Sequence, residues 1–235
     1  MTDRTGNLRY KRLLLKLSGE ALMGRSPHGV DMAVLDLETT GLDPVSDAIV
    51  SFGVVPVIAG AVRWDRSVYR VVDPGRPVSP DVVAVHGIRP VDVGSAAPLS
   101  SIAGELRAAL EHRVLVAWTS WVEAAFLAGA LGGSAGAWSR RIVDVRRLAM
   151  LEDHLRGRHP SPAISEPLSA TAERFGVPPE REHHALWDAF VTAELLIVLA
   201  THLERRGRGR LGAIEAAGVG RLRLDPRRSA VAIPE

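Results

Sequence analysis

Two acidic residues stand two positions apart in an otherwise apolar segment near the start of the sequence. Asp36 and Glu38 follow Ala33-Val34-Leu35, a run that predicts a buried β-strand. Because alternate residues of a strand point to the same face, both carboxylates are predicted to share one face at the strand's end. Two such carboxylates repel each other and resist desolvation unless a cation neutralises them. The pair therefore indicates a metal site or, as the alternative, an ion pair between Asp36 and an arginine beside a solvated Glu38.

Two further acidic positions occur near predicted helix starts. Glu123 follows the apolar segment 114–117, and it is either a site residue or a solvated glutamate that suits the helix dipole. Asp188 lies early in a long apolar helix, where a cap or a buried, hydrogen-bonded aspartate is the alternative to a site residue. His184 precedes Asp188 by four residues and is predicted to share its helix face, whereas His183 lies at or just before the helix start. The spacing by itself favours His184 as the partner of Asp188.

Four carboxylates and a histidine in one pocket suggest metal-assisted phosphodiester chemistry. The sequence contains no cysteine, so disulfides and thiolate metal sites are excluded, and a carboxylate-rich site favours Mg²⁺ or Mn²⁺. In a two-metal site, with ions about 4 Å apart, one ion lowers the pKa of the attacking water and the other stabilises the leaving oxygen. A neutral histidine near pH 7 can accept the proton of that water.

The elements that must position these residues follow from apolar patterning and from turn residues. Strands are predicted at 33–37, 48–58, 61–72, 114–117 and 141–145, with a hairpin turn at Ala59-Gly60. Helices are predicted at 99–111, 122–131, 145 to about 155, 168–175 and 184–204, and a Pro- and Ser-rich loop at 159–167. Three strands followed by alternating helices and strands predict an α/β fold, a mixed β-sheet with helices on both faces. Active sites of such sheets lie beyond the strand ends, which is where the first acidic pair is placed.

The motif residues resemble those of the DEDDh exonucleases, a family that includes the proofreading epsilon subunit of bacterial DNA polymerase III. The segment 34–44, Val-Leu-Asp-Leu-Glu-Thr-Thr-Gly-Leu-Asp-Pro, resembles the family's first motif. Val85-His86-Gly87-Ile88 resembles the segment that helps to hold the terminal nucleotide. His183 to Ala189 resembles the third motif, in which the catalytic histidine precedes the aspartate by five residues. The likeness covers roughly residues 32–204.

This resemblance implies a ribonuclease-H-like fold and a metal-dependent 3′→5′ exonuclease that releases nucleoside 5′-monophosphates. The implied ligands of two Mg²⁺ or Mn²⁺ ions are Asp36, Glu38, Glu123 and Asp188. The implied general base is His183 rather than His184. The implied nucleotide contacts are Thr39 and His86. The implied partners are nucleic acid and a DNA polymerase. Single-stranded DNA or 3′ ends are the expected substrate, with RNA and short oligonucleotides left open.

The second motif departs from the family's pattern. The family has His-Asn, three residues and then aspartate before an apolar helix, whereas this sequence has Trp118-Thr119-Ser120-Trp121-Val122-Glu123. Glutamate keeps the charge but adds a methylene, and a misplacement of about 1 Å can cost on the order of 100-fold in rate. The alternative function is therefore a catalytically weakened module that binds nucleic-acid ends or a polymerase partner. We expect Trp118, Trp121 and Trp187 to be core or pocket-wall residues rather than base-stacking platforms.

The two ends of the sequence differ from the exonuclease-like part at 32–204. Residues 1–31 form a predicted leader that contains both lysines, and its segment 10–22 resembles the opening of bacterial UMP kinase. Nothing later in the sequence resembles the rest of a kinase, so kinase activity rests on this leader alone. A fused fragment, a misplaced start and an extra strand are the alternatives. Residues 205–235 are Arg- and Gly-rich and are predicted to be mostly mobile.

Length and composition predict a single-domain protein that has no membrane span. The 235 residues suit one α/β domain with short extensions, and a net charge of +2 is too small to indicate nucleic-acid binding by itself. We expect no apolar run that approaches the roughly 20 residues of a membrane span and no signal peptide. The predictions are therefore no membrane partner and, given the lack of cysteine, a cytoplasmic protein.

Overall fold

One mixed β-sheet runs through the part of the chain that the structure describes. The structure, a computed structural model, describes residues 31–158, 166–179 and 181–206. Its strands are β1 Met32–Thr39, β2 Ile49–Ile58, β3 Ala61–Val62, β4 Val68–Asp73, β5 Ala97–Pro98, β6 Val114–Ala117 and β7 Ile142–Asp144. They form one sheet in the order β5-β4-β2-β1-β6-β7, and the short β3 pairs with β2.

The sheet mixes antiparallel and parallel pairs. Strand β2 is antiparallel to β1, β3 and β4, whereas β6 is parallel to β1 and β7 is parallel to β6. The connection between β2 and β3 is a tight hairpin in which both Ala59 and Gly60 adopt a positive φ, of 50° and 74°. Such values match the twist of a two-residue hairpin. The mixed sheet and the hairpin were both predicted correctly from the sequence.

Helices cover both faces of the sheet. They are α1 Pro80–His86, α2 Pro90–Gly94, α3 Leu99–Leu110, α4 Ser120–Leu131, α5 Ala135–Ser139, α6 Val145–Leu155, α7 Leu168–Arg174 and α8 Ala185–Arg205. Met32 and Val34 of β1 pack in one hydrophobic cluster with α6 and α8. Ala33 and Leu35 point the other way, into a cluster with α3 and α4. The alternation along β1 thus builds two apolar layers, and the predicted α/β architecture is confirmed.

Helix α8 corrects one expectation from the sequence. It is 21 residues long with a mean hydropathy of 1.5, so by length and composition alone it could cross a membrane. The expectation that no apolar run approaches a membrane span was therefore wrong. In the structure 56% of this apolar stretch is buried, and the helix packs against β1, β2 and α6. Burial of this kind is what the core helix of a folded domain requires.

The predicted strand at 61–72 is also wrong, because a turn divides it. A single 3-10 turn, Trp64–Arg66, separates β3 from β4. The Trp64 ring lies 4.9 Å from the Trp187 ring and 5.2 Å from the Phe190 ring, both on α8. Packing of this aromatic side chain onto the helix takes the place of continued strand pairing. The short helices α1, α2 and α5 were not predicted.

Several predictions fall on residues that the structure does not describe. They are the leader up to residue 30 with its UMP-kinase-like segment 10–22, most of the loop at 159–167, and the tail from residue 207 onward.

Candidate active site

The end of β1 carries the first two carboxylates on the face that α8 covers. Asp36 and Glu38 continue the same alternation as Met32 and Val34, so all four point toward the α6 and α8 side. The β1–β2 register shifts between Glu38 and Thr39, an irregularity that ends the regular pairing where the acids stand. The predicted shared face of the two carboxylates is therefore present in the structure.

The first turn of α8 brings a third carboxylate to this pair. Asp188 lies one turn into the helix, and its backbone N–H donates to the His184 carbonyl at 2.9 Å. Oxygen atoms of Asp36, Glu38 and Asp188 all lie within 4.8 Å of one another. Neither Asp36 nor Glu38 forms an ion pair with an arginine of the described ranges. A cluster of this kind has the composition of a site for a hard divalent cation.

Glu123 faces the same cleft from the other side of the sheet. It stands in the first turn of α4, is only 3% exposed, and lines the cleft together with Asp36 and Glu38. It is not one of the three carboxylates that lie within 4.8 Å of one another. Its Oε2 is buried and has no hydrogen-bond partner among the described residues. The alternative of a solvated helix-start glutamate does not match this buried position.

A buried aspartate that the sequence analysis did not single out holds the start of α4. Asp144, at the end of β7, accepts hydrogen bonds from Ser120 N at 2.9 Å and Ser120 Oγ at 3.2 Å. Its other oxygen accepts from Arg147 N at 3.0 Å and so caps α6 as well. One carboxylate thereby fixes two helix starts. An acid that ends a predicted strand immediately before a helix was the available signal for this role.

Burial in the cleft destabilises the ionised form of the four carboxylates. Burial, followed by the charges of Glu38, Asp188 and Glu123, raises the pKa of Asp36 well above its usual range. Burial is also the main cause that raises the pKa of Glu38 and of Glu123 to about 8 and that of Asp188 to about 6. A bound divalent cation would reverse this preference by stabilising the ionised carboxylates.

The two adjacent histidines have separate surroundings. His183 lines the cleft with Asp188 and has a positive φ of 59°. His184 precedes the first residue of α8, and its ring stacks on that of Tyr69 with centroids 4.6 Å apart. Only His183 of the two lines the acidic cleft. The spacing argument that favoured His184 as the partner of Asp188 therefore does not match the side-chain positions.

The cleft has room for a nucleotide-sized ligand, with a volume of about 630 Å³. Thr39 and His86 line it, as do Trp118 and Trp121. The Nδ1 atom of His86 accepts a hydrogen bond from Ile88 N at 3.0 Å. In the neutral ring the proton is therefore on Nε2, a buried atom with no partner among the described residues.

The three tryptophans of the sequence analysis have different positions. Trp118 and Trp121 line the cleft, as expected for pocket-wall residues. Trp121 remains 54% exposed, which is unusual for so large an apolar side chain. Trp187 instead packs against Phe190 with centroids 5.8 Å apart. Arg146 also lines the cleft and is the one Lys or Arg among the described residues that do so.

The sequence is similar to a protein that is named after a DNA polymerase III subunit. It is 29% identical over 216 residues to a DNA polymerase III subunit epsilon-like protein of Rhodobacter capsulatus, a match that covers 90% of this chain and 30% of that protein. The chain thus spans less than a third of that relative's length. A stretch of 36 residues is 58% identical to uridylate kinase of Legionella pneumophila and covers 15% of each chain. The predicted UMP-kinase likeness is thereby confirmed as a short segment.

Solved exonuclease structures share the fold. Exonuclease X in complex with 5′ overhanging duplex DNA is 23% identical, with a TM-score of 0.54, and the match covers 78% of this chain and 99% of that one. The nuclease domain of 3′hExo, a DEDDh family member bound to rAMP, is 16% identical, with a TM-score of 0.57. That match covers 77% of this chain and 94% of the other. The ribonuclease-H-like fold expected from the resemblance is confirmed.

The sequence pattern of a whole family gives the broadest agreement. The pattern of the exonuclease family RNase_T matches residues 33–196, which is more than half of the chain. The matched range contains the four candidate metal ligands, Asp36, Glu38, Glu123 and Asp188, and the adjacent histidines His183 and His184. From the match, the shared fold and the acidic cleft, we conclude that this chain belongs to the RNase_T exonuclease family.

Proposed function

We propose that this protein is a metal-dependent 3′→5′ exonuclease that hydrolyses phosphodiesters at nucleic-acid 3′ ends. The observation that carries the proposal is the cluster of Asp36, Glu38 and Asp188, whose oxygens lie within 4.8 Å of one another in a cleft of about 630 Å³. Such a cluster is stable in its ionised form only with a cation, and phosphate oxygens are natural co-ligands of that cation.

The donor set fits two hard divalent ions. All four candidate ligands are carboxylates, which suit Mg²⁺ or Mn²⁺ better than softer metals. Asp36, Glu38 and Asp188 would hold the first ion, and Glu123, with its unpartnered Oε2, would help to hold the second. When bound, such ions activate a water and neutralise charge on the reacting phosphate.

His183 is the proposed general base. It lines the cleft beside Asp188 and lies just before α8, where a side chain can reach a water near the metal ligands. The water oxygen forms a bond to phosphorus, its proton passes to His183, and the bond from phosphorus to the 3′ oxygen breaks. The departing 3′ oxygen takes a proton from solvent water. The products are a nucleoside 5′-monophosphate and a strand that is shorter by one nucleotide and ends in a 3′ hydroxyl.

The wall of the cleft supports a nucleic-acid substrate. The free Nε2–H of His86 is a hydrogen-bond donor, and the hydroxyl of Thr39 is a second polar group. Trp121 lines the cleft and is half-exposed, so a base can stack on its ring in addition to the pocket-wall role expected from the sequence. Arg146 supplies a positive charge for a backbone phosphate.

DNA and a polymerase are the proposed partners because of what similar proteins bind. The exonuclease X structure contains duplex DNA with a 5′ overhang, and an exonuclease I structure from E. coli contains a dT13 oligonucleotide. The epsilon-like relative is named as a polymerase subunit protein. We therefore propose single-stranded DNA as the preferred substrate and a DNA polymerase as a protein partner. We also propose the cytoplasm as the location, because a sequence without cysteine suits a reducing compartment.

The experiment that tests the proposal is degradation of a 5′-labelled single-stranded DNA oligonucleotide with Mg²⁺ or Mn²⁺. A ladder that shortens from the 3′ end, needs metal and is lost in Asp36→Ala is the expected result. An RNA of the same sequence run in parallel tests the preference for DNA. If neither the oligonucleotide nor its RNA counterpart is shortened at any metal concentration, the catalytic proposal is wrong.

One observation favours a second candidate function. Glu123 lies outside the three-carboxylate cluster, and its motif has lost the family's His-Asn pair. A domain with an incomplete second metal site would bind 3′ ends without cutting them. Tight binding of the labelled oligonucleotide by the wild-type protein, with no shortening over hours in Mn²⁺, is the result that this candidate predicts.

A further inference from the structure

We propose that Tyr69, Gly53 and His184 form a seat that positions the start of α8, and that His184 is therefore a positioning residue rather than a second base. The seat determines where His183 and Asp188 stand relative to Asp36. Its catalytic consequence rests on the proposed exonuclease function, whereas its structural consequence does not.

The seat is built on three neighbouring strands. Asp36 of β1 is paired with Gly53 of β2, and Gly53 is paired with Tyr69 of β4. Residues that stand directly opposite each other in a sheet point to the same face. Tyr69, Gly53 and Asp36 thus form one row across the sheet, on the face that α8 covers. The row ends at a candidate metal ligand.

The middle of the row must be empty for the helix to approach. A Cβ atom placed on Gly53 would lie 2.4 Å from the Ala185 carbonyl oxygen and 2.5 Å from the Leu186 Cα. Both are backbone atoms of the first turn of α8, so no side-chain rotation relieves the clash. The backbone conformation of Gly53 is not the reason for glycine here, because its φ is outside the left-handed region. The requirement is close approach of helix to strand.

The outer end of the row holds the residue just before the helix. The His184 ring stacks on the Tyr69 ring with centroids 4.6 Å apart and planes 24° apart. The Nδ1 atom of His184 is buried and has no hydrogen-bond partner among the described residues. Because the ring stacks on Tyr69 and does not line the cleft, it contributes a flat aromatic surface here rather than a group that exchanges a proton with the cleft.

The seat explains an otherwise unfavourable backbone. His183 adopts a φ of 59°, a left-handed conformation that non-glycine residues rarely take. Contacts on one side of it, at His184 and Ala185, hold the chain in this turn. The turn directs His183 into the cleft while Asp188 follows one helical turn later. A shift of the helix start by about 1 Å would displace both, at a cost on the order of 100-fold in rate.

The experiment compares Gly53→Ala, His184→Ala and His184→Phe in the full chain. Gly104→Ala is the matched control, because Gly104 lies in α3 and a Cβ there would meet nothing within 4 Å. Two quantities are measured: the Mn²⁺ dissociation constant, followed without substrate, and kcat and KM on the oligonucleotide. Melting temperatures confirm that each variant is folded at the assay temperature.

The seat predicts that Gly53→Ala and His184→Ala weaken Mn²⁺ binding at least about 10-fold and lower kcat about 100-fold with little change in KM. Gly104→Ala is unchanged, and His184→Phe stays within about threefold of wild type because it keeps the stack. If His184→Phe loses as much as His184→Ala, or if Gly53→Ala binds Mn²⁺ like wild type, the seat is overturned. If the wild type does not cut but Gly53→Ala still weakens Mn²⁺ binding, the seat holds and the exonuclease proposal fails.

Discussion

The cleft has two halves that are built differently. In the first half, β1 and the start of α8 bring Asp36, Glu38 and Asp188 to within 4.8 Å of one another. In the second half, the start of α4 contributes Glu123, which lies outside that cluster. The first half contains the segments 34–44 and 183–189, on which the sequence resemblance rests, whereas the second half, with Trp118-Thr119 and Glu123, departs from that resemblance.

The two halves are also held in place by different means. The start of α8 packs directly on Gly53 of β2, which is paired with Asp36 of β1. The contact is between backbone atoms, so no side-chain rotation can change it. The α4 start depends on one buried side chain, Asp144, through its hydrogen bonds to Ser120. A half held by sheet backbone tolerates little variation, whereas a half held by a single carboxylate can be adjusted more easily. We infer that the first half provides the metal site and that the second half adjusts the activity of that site.

The largest expected loss of activity comes from removing a carboxylate of the first half. Asp36→Ala removes a ligand from the centre of the cluster and should lower the rate about 1,000-fold or more, equivalent to several kcal/mol of lost transition-state stabilisation. Single-turnover degradation of the oligonucleotide measures it. Asp65→Ala, at an exposed position on the 3-10 turn, is the control and should be neutral. An Asp36→Ala protein that retains a tenth of the activity would contradict the account.

Removal of the proposed base ranks next. His183→Ala should lower kcat about 100-fold or more, because a positioned general base contributes that much, while Mn²⁺ affinity stays within a few-fold of wild type. Rates at saturating Mn²⁺, together with a Mn²⁺ titration, separate the two effects. Wild-type kcat in His183→Ala, combined with an inactive His184→Phe, would instead assign the base to His184.

The second half should respond more weakly. Glutamate already lies outside the cluster, so the shorter side chain of Glu123→Asp withdraws the carboxylate further. We expect the Mn²⁺ concentration for half-maximal rate to rise about 10-fold, with a smaller loss at saturating Mn²⁺. The measurement is the rate as a function of Mn²⁺ concentration. A Glu123→Asp enzyme that is faster than wild type would show that glutamate has weakened the site.

The rim of the second half should affect binding rather than chemistry. Trp121→Ala should raise KM for single-stranded DNA about 5- to 10-fold, since a stacked base contributes roughly 1–3 kcal/mol, and should leave kcat nearly unchanged. Trp121→Phe keeps an aromatic face and should recover most of the loss. Steady-state kinetics on one oligonucleotide length measure both variants. An unchanged KM in Trp121→Ala would show that the exposed ring contacts no base.

The smallest effect concerns the metal-free protein. Folding raises the pKa of Glu38 and Glu123 from 4.5 to about 8, mainly through burial, so the folded state holds protons that the unfolded state has released. The stability of the metal-free protein should therefore fall as the pH rises from about 4.5 to about 8. At pH 8, Asp36→Asn should raise the melting temperature by roughly 3 °C, because folding of the wild type must bury a carboxyl that is ionised in the unfolded state, whereas the amide is neutral in both states. A melting temperature that rises with pH over this range would contradict these shifts.

Much of the first half could be predicted from the sequence because its signals are local. An apolar strand with acids two apart placed Asp36 and Glu38 on one face, and a long apolar helix placed Asp188 near its start. The choice between the two histidines was not local. Helical spacing favoured His184, but the chain leaves the helical conformation before Ala185, and the ring turns to Tyr69 on a strand more than 100 residues earlier.

The elements that were missed depend on tertiary contacts. Helices α1 and α2 are seven and five residues long, too short for a periodic pattern. They are held by a small apolar cluster of Val50, Val78, Ile88 and Val93. Asp144 was missed for a similar reason, because its bonds to Ser120 join parts of the chain that are 24 residues apart. A sequence pattern describes the residues of one helix or strand. The short helices and the capping role of Asp144 depend on contacts between two such elements, so no local pattern predicts them.

The most direct test of the two-half account is the number of Mn²⁺ ions bound per chain, measured by titration in the presence of a nucleoside 5′-monophosphate. The account predicts two ions for wild type, one tight and one weaker, and a single tight ion for Glu123→Gln, since the first half remains whole. A wild-type protein that binds only one ion, or a Glu123→Gln variant that loses the tight ion, would contradict it.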